Sequence, residues 1–181
     1  GGGTGGHIFP AISIANALKV IESDIEILFV GALGRMEMEK VPKAGYPIVG
    51  LPVMGFPRKL SLKMLKFFTG LLKSTQQARK IVDEFKPNAV VGVGGYASGP
   101  LLRVASRRGI PCLIQEQNSL PGKTNVFNAK KAKAVFTAYP DMEKFFSGTK
   151  TYFLGNPIRQ NIITDLMDKD LAKEKLGLDK N

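Results

Sequence analysis

A chain of 181 residues with 44% hydrophobic residues holds enough apolar mass for one packed core, which excludes a chain that stays disordered. Lys and Arg number 26 against 15 Asp and Glu, a formal net charge of +11, so the expected partners are anionic: phosphorylated substrates, an acidic membrane surface or nucleic acid. The single cysteine, Cys112, excludes an internal disulfide and reads as a small core residue, and no apolar run reaches the ~18 residues of a membrane span.

Strand and helix signals alternate along the chain. Residues from Pro10 to about Glu22 read as a helix, with Ile12, Ala15, Leu18 and Ile21 at helical spacing. Ile25–Val30 is a β-branched run and so a strand, Arg35–Lys43 a short helix closed by Gly45, and Tyr46–Val53 extended. Ser61 is placed to cap a long helix running to about Phe85. Ala89–Val93 is a strand, Pro100–Arg108 a helix, Pro111–Ile114 a strand and Gly122–Lys131 a helix. Ala134–Thr137 and Thr151–Leu154 are the last strands, with a short helix over Asp141–Phe146 between them. Asp165–Asn181 is charged and has little to bury.

This alternation predicts parallel βαβ units in a doubly wound, Rossmann-like α/β domain. A strand is expected ahead of the opening glycine cluster. None precedes Gly1, so the first strand of the sheet is expected to be missing from this sequence.

Gly1-Gly2-Gly3-Thr4-Gly5-Gly6-His7 leads into the first helix. Glycines let a ligand approach the backbone, and the helix N-terminus beyond them offers free N–H groups and partial positive charge, which suits phosphate. Gly1, Gly3 and Gly6 satisfy G-x-G-x-x-G, a weak pattern on its own. A dinucleotide site wants an acid at the end of the second strand, where this sequence has Gly31, Ala32 and Leu33. No G-K-[ST] closes a P-loop, and a tight turn without a ligand is the simpler alternative. His7 is the only histidine. Two roles stand open for it: a general base whose pKa the positive helix terminus lowers, or a residue that only hydrogen-bonds.

Gly92-Val93-Gly94-Gly95-Tyr96-Ala97-Ser98-Gly99-Pro100 repeats the device, with Ser98 placed to cap the next helix. Two such loops converge on the carboxyl edge of a parallel sheet, where open α/β sheets bind ligands. Tyr96 either packs or meets a sugar. Gln115-Glu116-Gln117-Asn118 follows the next strand, with Asn125 in the first turns of the following helix. Uncharged amides donate and accept, which suits a hydroxyl-rich ligand, although loop capping accounts for one or two of them.

Gly2-Gly3-Thr4-Gly5-Gly6-His7-Ile8-Phe9-Pro10, Gly94-Gly95-Tyr96-Ala97-Ser98-Gly99-Pro100, Glu116-Gln117-Asn118 with Thr124-Asn125, and Gly155-Asn156-Pro157-Ile158-Arg159 occur in this order. In order and spacing the chain resembles the MurG-type glycosyltransferases over nearly its whole length. The resemblance implies the N-terminal half of a glycosyltransferase-B fold: residues 1–157 as an acceptor-binding domain, then hinge and interdomain segment over 158–181. The C-terminal donor domain would lie outside this sequence, and the piece alone is expected to be inactive. It implies transfer of N-acetylglucosamine, with inversion, from UDP-N-acetylglucosamine to the muramic acid 4-hydroxyl of undecaprenyl-linked muramoyl-pentapeptide, with His7 as catalytic base. Donor contacts are implied for Thr4, Gly5, Gly6, Asn118 and Arg159. Acceptor contacts are implied around His7, Tyr96 and Asn125, and Gly94, Gly95, Ser98, Glu116 and Gln117 complete that set. No Asp-x-Asp pair follows either glycine loop to hold Mg²⁺ there, Asp168-Lys169-Asp170 falling in the charged terminal segment, so neither metal nor cofactor is expected.

Phe56–Lys80 holds seven basic residues and no acid, interleaved with Leu, Met and Phe. On a helix, Lys63, Lys66 and Lys73 form one narrow stripe, and the apolar arc is wider than one neighbour can bury. Leu65, Phe68 and Leu72 with those lysines are expected to meet an anionic membrane surface, as the membrane-bound acceptor also implies. The protein would then sit peripherally on the cytoplasmic face of the bacterial inner membrane. A core helix with solvated lysines is the alternative. Two other classes fit the residues less well. A nicotinamide-linked oxidoreductase fails on the missing ribose acid. A basic module without enzymatic activity leaves the amides and two glycine loops unexplained, so nucleic acid is not an expected partner.

Overall fold

A computed structural model describes residues 3–53, 55, 62–159 and 168–177, with the backbone alone at 62–66. Six α-helices and six strands alternate among the described residues, and every strand pairing is parallel. Helix α1, Gly5–Ile21, starts five residues before the expected Pro10. Thr4 is its extended N-cap residue, and the Thr4 carbonyl accepts from the His7 and Ile8 amides at 3.1 and 3.2 Å. Ile8, Ile12 and Ala15 bury on one stripe, so packing overrides the poor helix propensity of Gly5 and Gly6.

Strand β1 is Phe29–Ala32, displaced toward the C-terminus from the expected Ile25–Val30. Its ladder with β2, Ile48–Leu51, runs from Phe29↔Ile48 to Ala32↔Leu51. Between them lies α2, Glu37–Lys43. Alternation along the two strands serves two cores. Phe29 and Ile48 pack with Ile8, Ile12 and Val41 of α1 and α2. Val30, Ala32 and Leu51 pack with Ile81 and Ala97 from the other side. Helices therefore cover both faces, as a doubly wound sheet requires.

Helix α3, Leu62–Phe85, matches the expected long helix, and its expected cap Ser61 lies outside the described residues. Ser74, Ala78, Ile81 and Val82 form its buried stripe. Strands β3 (Val90–Gly92), β4 (Cys112–Glu116), β5 (Ala134–Thr137) and β6 (Thr151–Phe153) form a second sheet in that order. Helices α4 (Ser98–Arg107) and α5 (Lys123–Ala129) connect its first three strands. Leu102, Ile114, Val135 and Phe146 lie at the centre of its core. Cys112 belongs to the same cluster, and burial pushes its thiol up to about 11, so it stays an unreactive thiol.

The expected helix over Asp141–Phe146 is a single 3₁₀ turn, Glu143–Phe145. Helix α6, Lys169–Lys175, is capped by the Asp168 carboxylate and buries nothing, in keeping with its charge. Among the described residues no ladder joins β1 to β3.

Candidate active site

The first glycine turn is held from below by a carboxylate. Glu37, in the first turn of α2, is 2% exposed. One of its oxygens accepts from the Gly3 amide and the other from the Ala32 amide, each at 2.9 Å. Gly31 makes room for it: a Cβ there would lie 2.5 Å from Glu37 Cγ. The sequence reading missed Glu37, which it counted only as part of a short helix.

His7 stands in the first turn of α1, half-buried, with Nδ1 2.9 Å from Thr4 Oγ1. With Thr4 accepting from Nδ1–H, Nε2 keeps its lone pair. Its pKa lies below the ordinary 6.5. Burial is the largest cause, and the charges of Glu116 and Glu37 oppose it. The sequence reading credited the helix terminus, whereas loss of solvent dominates. Either way the ring is neutral at pH 7 and able to take a proton.

The second glycine turn yields to that ring. Gly94 and Gly95 have φ of +88° and +81°. A Cβ on Gly94 would lie 2.7 Å from His7 Nε2 and 3.5 Å from Asn125 Nδ2, so Gly94 brings imidazole and amide together. Ser98 corrects its expectation as a cap: it lies inside α4, whose N-cap residue is Ala97, and its buried hydroxyl donates to the Gly94 carbonyl at 2.6 Å. It holds the glycine turn, while the helix is entered from a turn that is already α-like at Ala97. Tyr96 is half exposed, with its hydroxyl beside Gly55.

Glu116 ends β4 and is 1% exposed. Its oxygens accept from the Asn118 amide, Asn118 Nδ2, the Gly122 amide and Asn125 Nδ2 at 2.8–3.0 Å. The carboxylate is thus occupied in fixing the two asparagines. Gln117 donates to the Val93 carbonyl and to Gln115 Oε1, tying the amide run to the end of β3. Asn125 is 1% exposed, and neither its Oδ1 nor Gln117 Oε1 has a partner among the described residues. A buried acceptor oxygen left unpaired costs ~1–3 kcal/mol, which a ligand donor would relieve.

Beside this cluster lies an open hollow of about 360 Å³. Gly5, Gly6, Gln117, Asn118 and Arg159 line it, so four of the five residues expected to meet a donor share one space. Thr4 is not in its wall; it is at the helix start, on His7. The lining also includes Phe9, Ser13 and the Asn156-Pro157 pair, of which the sequence reading had assigned no role to Phe9 or Ser13. Arg159 sits 5.0 Å over the Phe9 ring, which fixes a cation at the rim. Among the described residues no three His, Cys, Asp or Glu side chains gather to hold a metal ion.

On α3, Phe68 and Leu72 are 52% and 66% exposed, and Lys73 is exposed beside them. The side chains of Lys63, Leu65 and Lys66 lie outside the described residues. No described helix is long and apolar enough to cross a membrane.

With this geometry in place, the likenesses to known proteins become readable. Residues 1–137 match the family model described as the glycosyltransferase family 28 N-terminal domain. A relative from Phocaeicola vulgatus is 57% identical over 99% of this chain, and one from Bacteroides fragilis 53% identical over 98%. Both are named as UDP-N-acetylglucosamine–N-acetylmuramyl-(pentapeptide) pyrophosphoryl-undecaprenol N-acetylglucosamine transferases. The chain spans about half the length of these relatives, 48% and 47%. Among solved structures, Acinetobacter baumannii MurG superposes with a TM-score of 0.71 at 31% identity, over 93% of this chain and 48% of that one. A UDP-GlcNAc 2-epimerase from Neisseria meningitidis, at 14% identity and a TM-score of 0.63 over 94% of this chain and 48% of its own, shares the fold.

Proposed function

We propose, from the premise that this chain belongs to glycosyltransferase family 28 as its N-terminal domain, that it forms the acceptor-handling half of an inverting N-acetylglucosaminyltransferase. The donor is UDP-N-acetylglucosamine and the acceptor a muramoyl-pentapeptide on undecaprenyl diphosphate. The acceptor 4-hydroxyl oxygen bonds to the anomeric carbon as the bond to the UDP oxygen breaks. His7 Nε2 takes the hydroxyl proton, and UDP departs with the electron pair. The glycine turn and free amides at the start of α1 lie where negative charge on the departing diphosphate gains stabilisation.

The observation that carries this reading is the meeting of His7 Nε2 and the Asn125 side chain at Gly94, at the carboxyl ends of the strands, with Asn125 Oδ1 left without a partner among the described residues. A hydroxyl seated there can donate to the imidazole, and the amide oxygen remains to accept from a ligand. The hollow lined by Gly5, Gly6, Asn118 and Arg159 supplies room for the donor next to it. The exposed Phe68 and Leu72 with Lys73 support a peripheral seat on an anionic bilayer, on the cytoplasmic face where a nucleotide sugar is available.

The test is transfer by the full-length protein. Incubated with UDP-N-acetylglucosamine carrying a labelled sugar and with the lipid-linked acceptor, it is expected to yield a labelled lipid disaccharide and UDP. Absence of labelled lipid, with the protein folded and acceptor present, overturns the reading. Binding of a nicotinamide dinucleotide in place of the nucleotide sugar would favour an oxidoreductase.

A further inference from the structure

Glu37 has the features of a group placed for a purpose other than packing. It is charged in type, buried, and 34 residues from the Gly3 amide it binds. A core position at this depth is ordinarily apolar, and a carboxyl group there is costly unless fully hydrogen-bonded. Its two bonds go to the end of β1 and to the glycine turn that carries His7. No cation is needed to explain it, because the two amides occupy one oxygen each.

Two further observations tie Glu37 to His7. A small, partly open cavity of about 20 Å³ has both residues in its wall, and Ile8, Phe29, Val30, Val41 and Ile48 are among its apolar walls. The space between carboxylate and imidazole is therefore low in dielectric, where charge acts at longer reach. Gly31 is the second. Its hydrogen is all that fits against Glu37 Cγ, so the strand end is shaped around this side chain.

We infer that Glu37 is a positioning residue for the transfer reaction: it fixes the first glycine turn to β1 and, by its charge across the shared cavity, favours the protonated His7 that forms as the acceptor hydroxyl loses its proton. This rests on the reading of His7 as the base. Among the described residues the charged groups facing His7 are Glu37 from α2 and Glu116 from the end of β4; the second glycine turn and α5 present only uncharged groups, Gly94 and Asn125. Glu116 acts from the opposite side but is fully engaged with the amide loop, so the two carboxylates share the electrostatic task and divide the structural one. Glu37 touches no substrate and reaches the chemistry only through the turn and the ring.

The test uses the full-length protein and compares Glu37→Gln, Glu37→Asp, Gly31→Ala and His7→Ala with the parent. Glu37→Gln removes the charge and one amide bond. Turnover is expected to fall by about ten- to a hundredfold through misplacement of the base. The acid limb of the pH profile should move to lower pH, because a ring without that carboxylate holds its proton less well. Glu37→Asp keeps the charge but cannot span both amides, so the limb should stay while turnover falls. Gly31→Ala pushes the side chain off its partners and should reproduce the loss of turnover without altering any charge.

The inference is overturned if folded Glu37→Gln keeps the parent's acid limb and turnover within about twofold. Should Glu37→Gln not fold, Glu37→Asp decides: parental turnover from a carboxylate one methylene too short overturns it equally. A parent whose transfer His7→Ala leaves intact sinks the reading of the base itself, a result distinct from either failure.

Discussion

The two glycine turns meet at the same point and do opposite work. The first displays a residue: Thr4 and Glu37 hold it rigid so that His7 leaves the start of α1 at a set angle. The second withdraws one: Gly94 supplies only the absence of a side chain, and Ser98 clamps its carbonyl so that the absence stays in place. A glycine-rich loop is therefore no uniform device. What it does depends on which neighbour needs room, and that neighbour lies on a distant part of the chain.

The difference can be broken from each side. The largest effect is expected from His7→Ala in the full-length protein, a ~10²–10⁴-fold loss of turnover with little loss of stability, read as initial rate beside a melting curve. A loss under about tenfold would leave His7 a structural role. Next comes Gly94→Ala. Its Cβ would displace the ring, and its φ of +88° is strained for any L side chain, so turnover should fall together with ~1–3 kcal/mol of stability. Gly5→Ala in the displaying turn meets only the Phe9 ring edge at 3.3 Å and should cost little stability, while its methyl group in the wall of the hollow should raise KM for the nucleotide sugar.

Asn125→Ala sharpens the picture at the amide side. It removes an unpaired oxygen but also a donor to Glu116, so the fall in turnover should exceed the fall in stability, measured as kcat/KM against Tm. A large drop in Tm with intact kinetics would make Asn125 a loop brace. Smaller still is the pH dependence of stability. His7 has its pKa lowered on folding, so its contribution is present above the unfolded value of 6.5 and lost as pH falls through the folded value. His7→Gln should therefore lose less Tm than the parent between about pH 8 and about pH 5. On the outer face of α3, Phe68→Ser with Leu72→Ser should leave the fold intact and weaken binding to anionic vesicles, checked by cosedimentation. Unfolding of that variant would show that the face is core.

Much of this was legible in the sequence. The alternation of apolar runs placed all six strands to within a few residues. Both glycine turns stood out because Gly, Thr and Ser cluster just ahead of a helix signal. The start of α1 was misjudged because Gly5 and Gly6 read as breakers, while burial of Ile8 and Ile12 decides the matter. Ile25–Leu28 has strand propensity, yet the ladder begins at Phe29, because a strand needs a partner and Ile48 is where β2 begins. Glu37 was invisible for a sharper reason. The dinucleotide reading was set aside for want of an acid at the end of the second strand, and an acid is there after all, five residues beyond Ala32 and folded back onto it. It serves the turn and not a ribose, a distinction that only the direction of a side chain can make. Ser98 failed in the same way: a residue type suited to capping spends its hydroxyl on Gly94.

Cys112 gives this fold a built-in reporter of its own opening. It is the single cysteine of the chain, and it is buried beside Leu102 and Ile114. A thiol reagent reaches it only when that core opens, so the rate of labelling in the native protein measures how often the sheet of β3 to β6 parts from α4.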